Sequence, residues 1–306
     1  MEAHIEKYTK ANWWDSVKIT VLNLAIFYGL YYSLPTTITI YSIFSTMINA
    51  LMIVKMFILF HDMAHYNFYP NNTVNWIMSL FFGFLVFTPV SFWSRGHNYH
   101  HQHSNDLDKK QFSQTAPLSV NKFKKLSKME QIVYKLTFGK YTLFTSTPII
   151  YFLFVQYSFA KWYEIIGQAT VLLYVYSDLT YIQMLHILFS YILASSIGFV
   201  LFHIQHTFDG AYKESNEKWE FKKNAIHGCS FLQVPFLLKF FTAGIEYHHI
   251  HHLNSRVPCY NLKECHEKSG DLFKDVKRFY PYEIFKVFRY SLYNQEKQEY
   301  TDVYSV

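Results

Sequence analysis

Four long apolar runs restrict the fold of this chain more than any other feature of its sequence. Each is long enough to cross a hydrocarbon layer of about 30 Å, and they cover residues 17–34, 37–60, 142–159 and 179–202. Only 16% of the 306 residues are charged, whereas soluble domains average about 25%. The first run is too long for a signal peptide, and no small-residue cleavage site follows it. The sequence therefore predicts an all-α, multi-pass membrane protein with four transmembrane helices.

The distribution of charge predicts which side of the membrane each segment faces. Residues 91–140 contain nine Lys and Arg residues against three acids, and short loops with this bias stay cytoplasmic. With an even number of crossings, both termini are cytoplasmic as well. We interpret the lysines as a solvated basic face near anionic lipid rather than as a docking site. We expect one domain over 1–306, with a membrane portion at about 17–202 and a cytosolic, histidine-rich tail at 203–306.

Three shorter apolar segments are predicted to be interfacial: 74–90, 164–177 and 234–245. If 74–90 crossed the membrane once, the histidines before and after it would face opposite sides. We therefore expect 74–90 to dip into the membrane and return. The segment 164–177 is expected to lie at the outer surface.

The 16 histidines are clustered at short spacings. "HDMAH" places His61 and His65 four residues apart at the end of an apolar run. "HNYHH" (97–101) and "HHIHH" (248–252) hold histidines at spacings of three and four, and "HIQH" (203–206) adds two more. Residues three or four apart share one helix face, so each group is predicted to point its imidazoles at one spot. A membrane-edge histidine is costly without a partner, so the pattern indicates bound metal.

The number of histidines indicates how many metals they would hold. Imidazole nitrogens suit zinc, copper, iron and nickel, and a single zinc site uses three or four protein ligands. Eight or nine converging histidines exceed that number and fit two metals. Two metals held by neutral nitrogens at the edge of an apolar bundle indicate oxygen activation, with an apolar chain supplied from the bilayer.

Other polar residues near the motifs have plainer interpretations. We expect four lone histidines to have structural or surface roles: His4, His186, His227 and His266. Two others lie off the shared face of their groups, and we expect them to support ligands or to be incidental: His103 and His249. His203 is left undecided. Asp62 either orients a ligand histidine or is an exposed acid at a helix end.

The chain resembles membrane-bound fatty acid desaturases, close to the acyl-lipid omega-6 (delta-12) branch. That family has three histidine boxes in order, H-x-x-x-H, H-x-x-H-H and H-x-x-H-H, which here are "HDMAH", "HNYHH" and "HHIHH". The surroundings "SFWSRGHNYHHQHSNDLDKKQF", "FHIQHTFDGAY" and "EYHHIHHLNSRVPCYNLKECHE" are similar as well. The resemblance covers about residues 50–270, with Ala64 where the family often has Gly.

The resemblance implies four transmembrane helices, a cytosolic cap and a non-haem di-iron centre on the cytoplasmic face. With O₂ as co-substrate, the centre would introduce a cis double bond into a fatty acyl chain of a lipid or a thioester. A separate electron donor of ferredoxin or cytochrome b5 type is implied, because no fused cytochrome b5 segment is recognised; no nucleic acid partner is expected. Carried over motif by motif, the metal ligands would be His61, His65, His97, His100, His101, His206, His248, His251 and His252.

Three other functions stay open at this stage. A fatty acyl hydroxylase would use the same boxes and return oxygen to the carbon. An intramembrane zinc protease is suggested by the similarity of "HDMAH" to H-E-x-x-H, but Asp62 would place the base one methylene short and leave the other histidines unused. A metal transporter would place polar ligands inside its spans, whereas these histidines cluster beyond the span ends.

Overall fold

The computed structural model describes residues 1–109 and 117–306; Lys110 and the end of the "NDLDKKQF" motif lie outside the described residues. The α-helices are α1 Glu2–Ile5, α2 Trp13–Tyr32, α3 Ile40–Ala64, α4 Asn72–Leu85, α5 Val90–His103, α6 Val120–Lys124, α7 Lys128–Phe138, α8 Ser146–Leu153, α9 Trp162–Tyr176, α10 Tyr181–His206, α11 Phe221–His227, α12 Lys239–Thr242, α13 His248–Leu253, α14 Cys259–Glu267 and α15 Ile284–Val287. Short 3₁₀ turns cover Glu6–Tyr8, Val155–Tyr157, Phe236–Leu238, Gly270–Phe273, Pro281–Glu283 and Val303–Ser305.

Five short strands accompany the helices: β1 Leu118–Ser119, β2 Ser230–Leu232, β3 Lys277–Phe279, β4 Leu292–Asn294 and β5 Glu299–Thr301. Most of the described chain is helical, as predicted, but the all-α expectation omitted these strands. Each has only two or three residues, which is too short for an alternating apolar pattern to appear in the sequence.

Two helices, α3 and α10, are long and apolar enough to cross a membrane, and they pack against each other. The bent pair α4 and α5 would make a third span if the two count as one. α2 covers the first apolar run, but Asp15, Lys18 and Asn23 make it less apolar than the other two. Length and composition thus support two or three membrane spans, fewer than the four predicted.

The fourth predicted span, 142–159, is wrong as a continuous helix. Within it only Ser146–Leu153 is α-helical, and a 3₁₀ turn follows. The hydroxyl of Thr145 donates to Tyr141 O at 2.6 Å, so a local turn replaces a helical start. Pro148 in the first turn of α8 has no N–H to donate to a preceding turn. The run is apolar enough for a span, but its "TSTP" residues start a short helix instead.

The predicted dipping segment 74–90 contains α4 and the sharp bend that follows it. α4 and α5 meet at 107°, and Phe87 in the bend has φ 51°. Carbonyls freed by the bend accept hydrogen bonds from other segments: Leu85 O from the Tyr191 hydroxyl at 2.5 Å, and Phe87 O from Gln156 Nε2 at 2.7 Å. Such partners are what a broken helix needs where water is absent.

The other two segments predicted to be interfacial differ from each other. Residues 164–177 fall in α9, which packs against α4; a Cβ at Gly167 would come within 2.5 Å of the Phe84 ring. Residues 234–245 form a 3₁₀ turn and the short α12, where Phe236 and Leu237 are strongly exposed. Their exposure agrees with an interfacial position. The outer-surface position of 164–177 stays a prediction.

One of two small sheets joins the tail to the lysine-rich segment, and the other lies within the tail. β1 pairs in parallel with β4, which pairs antiparallel with β5; β2 pairs in parallel with β3. β1 precedes α6 in the lysine-rich segment, and β4 lies near the C-terminus. The β1–β4 pairing therefore joins 118–119 to 292–293 and ties the lysine-rich segment to the tail.

Candidate metal centre

The nine histidines predicted as ligands lie together in two buried or half-buried clusters. The five-histidine cluster contains His61, His65, His97, His101 and His251. The four-histidine cluster contains His100, His206, His248 and His252. Within each cluster, one ring nitrogen from every residue lies within 4.8 Å of the others. That these residues bind metal stays a prediction, but they have converged as metal ligands would.

Each H-x-x-H-H box is divided between the two clusters. In α5, His97 and His101 face the five-histidine cluster and His100 faces the other. In α13, His251 faces the five-histidine cluster, whereas His248 and His252 face the four-histidine one. The expectation that each box points at one spot is therefore wrong. On a helix, the side chains of residues four apart differ in direction by about 40°, whereas those of His100 and His101 differ in direction by about 100°. The middle histidine can thus reach a second centre.

The end of α3 is held in place by the tail through Asp62. Asp62 is 1% exposed; its Oδ1 lies 3.0 Å from His61 Nδ1, and its Oδ2 accepts from the Cys259 backbone N–H at 2.5 Å. Asp62 is therefore not an exposed acid at a helix end, and that interpretation is wrong. With both oxygens engaged, Asp62 fixes the His61 ring so that Nε2 points into the cluster, 3.0 Å from His97 Nε2.

Two more cluster histidines are oriented by their surroundings. His206 Nδ1 lies 3.2 Å from Gly228 O, which acts as an acceptor and leaves Nε2 to face His100 Nε2 at 3.0 Å. The Trp93 indole stacks on the His97 ring with centroids 4.3 Å apart.

α13 is positioned by a left-handed turn immediately before it. Ala243 has φ 47° and Gly244 has φ 90°. A Cβ at Gly244 would come 2.5 Å from Cys259 O, so both the backbone angle and the close approach require glycine. The turn precedes the helix that begins at His248 and contains "HHIHH".

The histidine clusters fit bound metal because several of their ring nitrogens are buried and have no hydrogen-bond partner among the described residues. Among the described residues, His65 Nε2 and both ring nitrogens of His251 and His252 have no hydrogen-bond partner. Burial lowers the pKa of the His251 and His252 imidazoles well below the usual value, so they are neutral and able to donate a lone pair. Buried nitrogens are costly when unpaired, and metal ions would satisfy them.

The histidines outside the clusters have other contacts. His249 Nε2 lies 3.1 Å from His266 Nδ1, so His249 faces away from both clusters, as predicted, whereas His266 is half-buried rather than a surface residue. His227 is exposed. Three more histidines make hydrogen-bond contacts to oxygen atoms: His4 with Cys265 O, His186 with Thr46 Oγ1 and His203 with Val287 O. His103 packs against Tyr99.

Sequence reasoning missed a buried polar network behind the four-histidine cluster. Lys213, only 3% exposed, donates to Asn105 Oδ1 at 2.6 Å. Asn105 Nδ2 donates in turn to Gly228 O at 2.9 Å, the same carbonyl that His206 contacts. Burial lowers the pKa of Lys213 to about 7. The Asn105 position, with φ 60°, is where a short polar side chain in the left-handed region is expected; that angle is invisible in the sequence.

A largely apolar cavity of about 470 Å³ lies beside the clusters. Its walls come from α3, α5, α8, α9 and α10, and three cluster residues, His61, His97 and His248, face it. The volume falls in the range of about 300–1,000 Å³ that is typical of small-molecule sites. The arrangement can therefore hold an apolar molecule next to the histidines.

Comparison with known proteins agrees with this arrangement. The sequence model of the fatty acid desaturase family matches residues 36–283. The chain is 30% identical over 266 residues to a fatty acid desaturase of Bacillus subtilis (strain 168), covering 81% of this chain and 75% of the relative. It is 25% identical over 245 residues to an sn-1 oleoyl-lipid 12-desaturase of Anabaena variabilis, covering 73% of this chain and 68% of the relative.

Proposed function

This chain belongs to the fatty acid desaturase family, and on that premise we propose that its two histidine clusters hold two iron ions beside an acyl chain in the apolar cavity. The activity is that of a desaturase, an oxidoreductase acting on fatty acyl chains. The observation that supports the proposal most directly is the location of His61, His97 and His248. Each belongs to a cluster and also lines the cavity, so a methylene in the cavity would lie next to the metal site.

When bound, the irons would supply O₂-dependent oxidation of an unactivated carbon–hydrogen bond. The overall change converts –CH2–CH2– to a cis –CH=CH– unit. One O₂, two electrons and two protons are consumed, and two waters are released. The electrons would come from a separate ferredoxin or cytochrome b5-type donor. The acyl chain would belong to a membrane lipid or to a thioester.

The chain's own residues contribute position and shielding. Asp62 fixes the His61 ring and Gly228 O fixes the His206 ring, so both present Nε2 to their cluster. Trp93 packs on His97 and also lines the cavity, which keeps water from the space between ligand and substrate. The apolar walls would hold the acyl chain against the clusters by exclusion from water.

Expression in a host that lacks polyunsaturated lipids tests this function. Fatty acid methyl esters from the host should contain a new double bond with the wild-type chain. We expect His100→Ala to abolish it and to lower the iron content, because one ligand is lost from a shared centre. His227→Ala, at an exposed histidine outside both clusters, is the matched control and should retain both. A hydroxylated product, or full activity and two irons in His100→Ala, would contradict the proposal.

We also propose that the histidine clusters lie on the cytoplasmic face of the membrane. The lysine-rich segment 91–140 supports it, as does the β1–β4 pairing that ties this segment to the tail. Cysteines substituted at the exposed positions Gln102 and Asp271 should label from the cytoplasmic side only. Background should be low, since all three native cysteines are buried. Labelling of the two positions from opposite sides would refute this topology.

A further inference from the structure

One face of α10 forms a long wall of the apolar cavity. Tyr191, Ser195, Gly198, Phe202 and Gln205 all line it, at alternating spacings of four and three residues. This spacing keeps them on one helix face. At about 1.5 Å per residue, Gly198 lies about 10 Å along the helix from Gln205, which precedes the ligand His206. The cavity therefore extends well away from the histidines, and Gly198 lies partway along it.

The space at Gly198 is empty. A Cβ there would meet no heavy atom within 4 Å. Glycine is normally needed where φ is positive, where another backbone approaches closely, or where a helix breaks. Gly198 meets none of these conditions, because its φ is not in the positive range and α10 runs unbroken through it. What the missing side chain leaves is open volume in the cavity.

The lining of the cavity is buried at His248 and Gln205 and exposed at several leucines, where the cavity opens. His248 and Gln205 are 1% and 3% exposed. By contrast, Leu188 on α10, Leu153 on α8 and Leu172 on α9 line the same cavity and are 50%, 59% and 44% exposed. These leucines lie on apolar helices, so the opening faces the lipid-exposed surface. Gly198 lies between this opening and the histidines.

Resting on the proposed function, we propose that Gly198 is a specificity-determining position that sets the length of acyl chain the enzyme accepts. The gap lets the chain run past the middle of α10 toward the opening at Leu188. A side chain at 198 would point into this path and leave room only for the part of the chain nearest the histidines. We place the methyl end of the chain toward the opening, so that the segment between the reacting methylenes and the methyl end passes 198. A longer chain has a longer segment there and would be excluded before a shorter one.

The size of the expected change follows from how strongly an apolar pocket discriminates between chains that differ by a methylene. A methylene that an apolar pocket cannot accommodate changes selectivity by about 10–200-fold. Acyl chains of 16 and 18 carbons differ by two methylenes. For Gly198→Phe we therefore expect the ratio of desaturated 16-carbon to desaturated 18-carbon product to rise at least about tenfold over wild type. Gly198→Leu should shift the ratio in the same direction, and Gly198→Ala by less.

The test uses the full chain in a host whose lipids contain both 16- and 18-carbon chains. Gly29→Phe is the matched control, because Gly29 also lies in a long helix with no heavy atom within 4 Å of a built Cβ, but it does not line the cavity. Its product ratio should equal that of wild type. Protein abundance in the membrane and iron content are measured for every variant, so that loss of folding is distinguished from loss of fit.

The outcomes separate this inference from the proposed function. If Gly198→Phe and Gly198→Leu accumulate with normal iron and keep the wild-type product ratio, the inference is wrong. If both fail to accumulate, Gly198→Ala decides: its methyl group fits the gap, and an unchanged ratio overturns the inference. A ratio that changes equally in Gly29→Phe also overturns it. Absence of any double bond with the wild-type chain would instead refute the proposed function.

Discussion

Replacing Asp62 by asparagine should loosen metal binding with almost no change in shape. The carboxylate has two buried neighbours, His61 Nδ1 at 3.0 Å and the Cys259 N–H at 2.5 Å. An asparagine oxygen can accept from one of them, but its NH2 group must then face the other donor. One buried N–H is left unpaired and the negative charge behind His61 disappears. A hydrogen bond to a charged group contributes about 1.5–3 kcal/mol, which equals about 10–100-fold in an equilibrium constant.

The assay is retention of iron by the purified protein against increasing chelator. For Asp62→Asn we expect the chelator midpoint to fall by about 10–100-fold, the range found when a partner that orients a ligand is removed. Asp275→Asn, at an exposed acid, is the control and should match wild type. A midpoint for Asp62→Asn within about twofold of the control, well below that 10–100-fold range, would show that Asp62 does not act through His61.

Three further outcomes are expected. His248→Ala should be inactive, whereas His249→Ala, whose ring faces His266, should retain measurable desaturation and near-normal iron. Equal loss in both would mean that the division of this box into ligands and a non-ligand is wrong. Gly270→Ala adds only backbone strain of about 1–2 kcal/mol. Gly244→Ala adds such strain and also brings its methyl group 2.5 Å from Cys259 O, so it should be the less stable variant by thermal unfolding. Equal melting temperatures of the two variants would refute the clash. Chelation of the metal should lower the melting temperature, by the equivalent of about 4 kcal/mol for a ligand at a thousand times its Kd, and an unchanged melting temperature would mean that the clusters hold no stabilising ion.

The histidine motifs could be identified from the sequence because their spacing is local. Residues three and four apart meet on a helix wherever the helix lies. Their division into two clusters could not be predicted, since it depends on how α5 and α13 are rotated against each other in the folded protein. The same limit applies to the failed span at 142–159: its hydropathy is that of a membrane helix, but hydrogen bonds from its threonines and the proline at 148 decide where the helix begins.

Burial of charged residues was the other feature that local sequence did not reveal. Asp62 could be assigned either to the solvent or to a ligand, because its second partner, Cys259, lies 197 residues further along the chain. Lys213 was not recognised at all. It lies in a polar segment, and it is enclosed by rings from the final hairpin, with Tyr300 5.7 Å from its ammonium. Such environments arise only after distant segments have packed.

If the two clusters hold ions as proposed, the sharing of each box between them has a consequence for the order in which those ions bind. α5 and α13 each contribute histidines to both clusters, so ordering these helices around one ion would also assemble most of the histidines for the other. The first ion would therefore bear the entropic cost of alignment, and the second would bind to a site already formed. Filling should be cooperative, with a sigmoidal titration. Under iron limitation the population would divide into empty and doubly occupied molecules, with few half-loaded ones between them.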